Sequence, residues 1–318
     1  MTDVTSSAAT STSTSTSTIG RILVPLDGSE VSRAALDYAT RFPGATLVVL
    51  QVGVDLDAVF PEVEPLDFSG VDDAIRRDLR AVVQPLVDEG RDLEIVVEDG
   101  DPADRIVEVA QRERADLIVM TTHGRGAAGR ILFGSVADRV SRHATVPTIL
   151  VRAGQEVPPD FPPRILVALD GSSRAETALP VADRLATSLG TPLALVRAVT
   201  LEDSLKTASR LQGTMKGRAV DTTDEAFALA REETERQART YLDALAAGIG
   251  GPVSALVLHG SPATALLQEI GPGDLTVLTS HGTSGVSRWL LGSVAEKLVR
   301  DSAGPVCLVP ARSGTDAR

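Results

Sequence analysis

The sequence predicts two tandem α/β domains of the doubly wound, Rossmann-like kind. Three observations predict them. The chain has 318 residues, which at roughly 150 residues per domain gives two. It repeats itself: Arg21-Ile-Leu-Val-Pro-Leu-Asp27-Gly-Ser returns as Arg164-Ile-Leu-Val-Ala-Leu-Asp170-Gly-Ser, and Gly100-Asp-Pro-Ala returns as Gly260-Ser-Pro-Ala. Within each copy short apolar runs alternate with helical patterns, the mark of parallel strands joined by crossover helices.

In the first copy, Ile22–Leu26 is a short apolar run and reads as a buried strand. From Ser29 onward, Ala34, Ala35, Tyr38 and Ala39 fall at helical spacing. Ala45–Val52 is the second strand, and Asp72–Val87 a helix that Pro85 must kink or end. Leu93–Val97 is the third strand. Pro102–Arg112 is a helix with proline in its favoured first turn. Leu117–Met120, a helix over Ser135–His143 and a fifth strand over Thr148–Val151 complete the unit.

From Thr121 to Val151 the copies align without a gap at an offset of 158, and 13 of those 31 positions are identical. The offset is 143 at Asp27/Asp170, so the second copy carries about 15 extra residues, around Thr200 to Glu235. The expected boundaries are a Ser/Thr-rich disordered tail over 1–19, a first domain over 20–152, a Pro-rich linker over 153–163, a second domain over 164–312 and a short tail over 313–318.

Composition excludes several classes of function. The net charge of −12 opposes non-specific nucleic-acid binding and docking on anionic membranes. A single cysteine, Cys307, excludes an intrachain disulfide or a cysteine-rich metal site, and no two of the four histidines stand at i, i+4. The longest apolar stretch, near Ala45 to Val54, is about half a membrane span. With neither a basic region nor an apolar core in residues 4–19, a soluble, cytoplasmic protein is expected.

The chemistry-bearing segments recur at the carboxyl ends of strands one and four, where such sheets bind ligands. The loop after strand four runs from Gly124 through nine residues to Gly134 and Ser135, and again from Gly282 to Gly292 and Ser293. Exposed amides and a helix N-terminus suit a phosphate chain. Arg130 and Arg288 hold equivalent loop positions and add charge. Ser135 and Ser293 also fit a capping box, closely in the second copy, which needs no ligand. Asp27 and Asp170 fit turn chemistry, or an acceptor for a ligand amino or hydroxyl group away from the phosphates. His123 and His281 read as loop residues, because no G-x-S-x-G accompanies them. Trp289, with Ile131, Leu132 and Leu290, reads as a core anchor. Walker A, dinucleotide-fingerprint and kinase motifs are absent.

Together these motifs resemble the universal stress protein family, twice over. The carriers are Ile-Leu-Val-Pro-Leu-Asp-Gly-Ser, the Gly-Asp-Pro before a helix, and a signature of Gly, two residues, Gly, nine residues, Gly and Ser or Thr. The resemblance implies five-stranded parallel sheets of order 3-2-1-4-5 that bind ATP, with Mg²⁺ on the phosphates. It implies that Pro25, Asp27 and Val52 line the adenosine side, and that Met120, Gly124, Gly134, Ser135 and Val136 line the ribose-phosphate side. The matching second-half positions are Ala168, Asp170, Ala198, Leu278, Gly282, Gly292, Ser293 and Val294. It further implies pairing of the halves through strand five, Thr148–Val151 against Val306–Val309, and leaves room for a homodimer.

One departure is that the signature's first glycine is Thr121 or Thr279. A β-branched residue there narrows the site, or the strand simply continues through it. The second half departs further at Ala168 and Ala198, which favours the first half as the better site. The expectation is a nucleotide-binding stress-response sensor or regulator that acts through an unknown protein partner, with no catalytic residue, no resident metal and no enzymatic turnover. The alternatives are an interaction module with closed sites, or a slow ATPase using His123 or Asp27.

Overall fold

A computed structural model describes residues 18–53, 69–122, 133–152, 162–214, 225–280 and 291–310. In the first half, β1 (Arg21–Leu26), α1 (Glu30–Ala39), β2 (Thr46–Gly53), α2 (Ser69–Asp88), β3 (Leu93–Asp99), α3 (Pro102–Arg112), β4 (Leu117–Thr121), α4 (Ser135–His143) and β5 (Thr148–Val151) alternate as the patterns predict. The second half follows with β6 (Ile165–Ala168), α5 (Ser173–Glu176), α6 (Leu179–Leu189), β7 (Leu193–Val199), α7 (Leu201–Thr214), α8 (Glu225–Ala246), β8 (Val253–His259), α9 (Pro262–Glu269), β9 (Leu275–Thr279), α10 (Ser293–Asp301) and β10 (Val306–Val309). Helix α7 and the start of α8 span the region around Thr200 to Glu235 where the second copy carries its extra residues.

The strands form one ten-stranded sheet of order β3-β2-β1-β4-β5-β10-β9-β6-β7-β8. Each half is thus a parallel 3-2-1-4-5 sheet. The halves meet where β5 pairs antiparallel with β10, Ile149 opposite Cys307 and Leu150 opposite Val306. This pairing covers two edges that would otherwise present unpaired amides and carbonyls.

Both faces of the sheet are buried, which explains why the strands read as continuous apolar runs rather than alternating ones. Ile22, Val24, Leu47 and Val49 pack with Tyr38, Phe42, Leu79 and Leu242 on one face. Leu23, Val48 and Leu50 pack with Ile106, Val140, Leu266 and Leu298 on the other.

Two expectations change. Helix α2 runs on through Pro85 to Asp88; the proline sits in its last turn, where losing one backbone bond breaks little of the ladder. Ile19, assigned to the tail by composition, is buried, and its amide donates to Ser188 Oγ at 2.8 Å. The carbonyl of Thr18 accepts from Arg184 at 3.2 Å. An isolated isoleucine in a Ser/Thr tract carries no periodicity, so only its tertiary partner reveals it. Most of the Ser/Thr tail (1–17), most of the linker (153–161) and the last eight residues lie outside the described residues.

Candidate functional site

At the carboxyl end of β1 the Asp27-Gly28-Ser29 segment makes a short relay. The Oδ1 of Asp27 accepts from the Ser29 amide at 3.0 Å and from its hydroxyl at 2.5 Å. Ser29 Oγ in turn accepts from the Ser32 amide, capping α1. The second half repeats it: Asp170 Oδ1 accepts from Ser172 N and Oγ at 2.9 and 2.6 Å, and Ser172 Oγ accepts from the Ala175 amide. Gly28 and Gly171 turn at φ 78° and 86°, in the left-handed region that glycine adopts without strain. Turn chemistry therefore operates, and it fixes one carboxylate oxygen while aiming the group at the sheet's rim.

After strand four, Thr121 and Thr279 remain strand, opposite Val151 and Val309. The capping-box reading of the serines does not hold. The N-caps are Gly134 and Gly292, with no side-chain cap bond, so Ser135 and Ser293 are the first residues of their helices and are exposed. The cap amides are engaged, Gly134 N donating to Thr122 O and Gly292 N to Ser280 O, each at 2.8 Å. The first intrahelical bonds arrive only at Asp138 and Glu296. The amides of Ser293, Val294 and Ala295, like those of Ser135, Val136 and Ala137, precede them at the positive end of a helix.

In the second half these parts enclose a cavity of about 240 Å³. Its wall includes Ala168, Asp170, Ala198, Leu278, Gly292, Ser293 and Val294, seven of the nine second-half candidates. Gly282 and Arg288 lie outside the described residues, as do Gly124 and Arg130, and also His123, His281, Trp289, Ile131, Leu132 and Leu290. Thr279 forms part of the wall without filling the cavity. Sequence reasoning missed the contributions of Pro262 and Leu266 from α9. Their signal was the recurring Gly-x-Pro-Ala, which starts that helix.

In the first half, Pro25 pairs with Leu50, Val52 with Glu98 and Met120 with Leu150, and Gly134, Ser135 and Val136 open α4. The two halves differ where it matters for space. Pro25 and Val52 become Ala168 and Ala198, which removes side-chain volume from the wall. Both alanines stand in the wall of the second-half cavity. The first half also carries an ion-pair tie between α3 and α4, Arg139 to Asp101 at 2.7 Å and to Asp104 at 2.9 Å. The Arg139 guanidinium holds the Asp101 carboxyl below its ordinary range. The second half has Ser261 and Lys297 at those positions, and Lys297 Nζ reaches Thr264 Oγ1 at 3.4 Å.

Among the described residues, no cluster of three or more His, Cys, Asp or Glu side chains could hold a metal ion, and no helix is long and apolar enough to cross a membrane. The arrangement can accept a hydrogen bond from a ligand's polar edge at Asp170, bury an apolar or aromatic body, and receive negative charge at the α10 terminus.

The fold defines a tandem pair of doubly wound α/β domains. The universal stress protein family model matches residues 18–152 and 163–310, and the chain belongs to that family. A universal stress protein of Mycobacterium tuberculosis is 32% identical over 208 residues, 64% of this chain and 64% of that relative, so the chain spans just under two thirds of its length in the match. Another from the same organism is 26% identical over 306 residues, covering 90% of this chain and 93% of its own. The crystal structure of a universal stress protein from Archaeoglobus fulgidus superposes with a TM-score of 0.67 at 22% identity over 92% of this chain and 98% of that one, a likeness of fold.

Proposed function

We propose that this chain binds an adenine nucleotide, ATP by preference, in the second-half cavity and acts as a regulator rather than as an enzyme. The observation that carries the reading is the cavity itself, bounded by the Asp170 carboxylate on one side and by Gly292, Ser293 and the start of α10 on another. A volume of about 240 Å³ lies just below the range for drug-sized ligands and suits a nucleoside body whose charged tail lies outside. Asp170 accepts from an amino or hydroxyl group of the nucleoside; placed beside phosphates it would repel them. The amides of Ser293, Val294 and Ala295 and the Ser293 hydroxyl receive the phosphates. Mg²⁺, where present, arrives on the phosphates of the nucleotide.

The described wall, with one carboxylate and no histidine or lysine to move a proton, supports a role without turnover. Family membership supports a regulatory role, exercised through a protein partner in the cytoplasm. Titrating ATP, ADP and AMP into the full chain by calorimetry, and analysing nucleotide carried through purification, tests the reading. Saturable binding with slow or absent hydrolysis supports it. No binding at millimolar nucleotide rejects it.

A further inference from the structure

Behind the Asp170 turn stands a group that the nucleotide reading does not use. Arg197, near the end of β7, lies on the strand face opposite its neighbours Val196 and Ala198, which line the cavity. Its guanidinium carbon sits 5.2 Å from the centre of the Tyr241 ring, within cation–π range. Tyr241, on α8, is fixed in turn by its hydroxyl, which donates to Glu176 Oε1 at 3.0 Å. On its other flank the guanidinium abuts Gly171: a Cβ built there would lie 3.0 Å from the guanidinium carbon and from Nη2, and 3.1 Å from Nη1. The guanidinium is therefore packed between an aromatic face and the backbone of the residue that follows Asp170. Burial and Glu176 raise the Tyr241 hydroxyl well above its ordinary range, which keeps the ring neutral and donating to Glu176. The first half has Gln51 at this register position, opposite Val97 as Arg197 is opposite Val257.

We infer that Arg197 is a positioning residue for Asp170: the Tyr241–Arg197–Gly171 stack sets where the carboxylate stands at the cavity mouth, a device present in the second half alone. Gly171 is then doubly required, for its φ of 86° and because a side chain would displace the guanidinium. The effect on nucleotide affinity rests on the function proposed above; the effect on the turn does not.

The test uses the full chain labelled with ¹³C-aspartate and ¹⁵N, comparing wild type with Arg197→Gln and Tyr241→Leu, and with Gln51→Ala as the first-half control. The expected result is that both second-half variants shift the Asp170 carboxyl and Ser172 amide resonances while Asp27 and Ser29 stay in place, and that Gln51→Ala moves neither pair. ATP affinity at the second site should fall about tenfold in Arg197→Gln, the scale on which loss of a group orienting a ligating residue is felt. If one variant fails to fold, the other reads the same stack from the opposite side. Unmoved Asp170 and Ser172 resonances in a folded variant overturn the inference. A wild type that binds no adenine nucleotide rejects the functional reading instead, and the resonances still decide this one.

Discussion

Arg184 of the second half donates to Asp116 of the first at 2.6 Å, across the seam between the two repeats. Asp116 also accepts from the amides of Gly20 and Arg21 at 2.9 and 3.1 Å, so one carboxylate ties β1, its own strand entry and helix α6 together. Burial works to raise the Asp116 carboxyl, but the Arg184 guanidinium and the two amides outweigh it and hold it below its ordinary value. A depressed carboxylate contributes stability above the unfolded value of about 3.9 and loses it as pH falls through the folded one. Asp116→Asn should therefore flatten the acid limb of the stability–pH curve below about pH 4. Arg184→Ala should cost about 1 kcal/mol at neutral pH, since both side chains keep some exposure. Urea melts followed by circular dichroism at pH 3 to 7 measure both effects.

Gly304 lies in the turn before β10. A Cβ there would stand 2.0 Å from the carbonyl oxygen of Asp274, a backbone atom that cannot step aside alone. Gly304→Ala should destabilise the second half by about 2 kcal/mol or more, as overpacking does. Thermal unfolding of the full chain checks this, and an unchanged midpoint would count against the packing described.

Cys307 is fully buried on β10, opposite Ile149 at the seam. Burial pushes its thiol well above the ordinary range, and a protonated, inaccessible thiol is a poor nucleophile. Its reaction with a thiol reagent should be slow in the native protein and should rise with denaturant in step with unfolding. Fast labelling of the folded chain would show that the β5–β10 seam opens.

The two halves should differ in the space they offer. Ala198→Val restores the first-half residue and should weaken nucleotide binding at the second site, with little effect on stability because a cavity receives the added methyls. Val52→Ala should act in the opposite sense in the first half. Equal affinities across the wild type and both variants would mean that these positions do not set the cavity's size.

Most of the fold was legible because buried parallel strands and amphipathic helices write different periods. Helices Pro102–Arg112 and Ser135–His143 and strand Thr148–Val151 match their predicted bounds. The internal repeat made the candidate rim visible twice. What could not be read depends on tertiary partners. Ile19 is buried only because Ser188, 169 residues away, receives its amide. The cap at Gly134 rather than Ser135 depends on the loop's hydrogen bond to Thr122, not on the local Ser-x-x-Asp pattern. Arg197 carries no motif at all; its role comes from Tyr241 on α8 and from Gly171 on the turn.

The most direct measurement is calorimetric titration of ATP into the full chain and into Ala198→Phe, whose ring would occupy the space bounded by Asp170, Leu278 and Ser293. The account predicts saturable binding by wild type and the loss of one site per chain in the variant, with its circular dichroism and melting retained. Identical affinity and stoichiometry in the two proteins would contradict it.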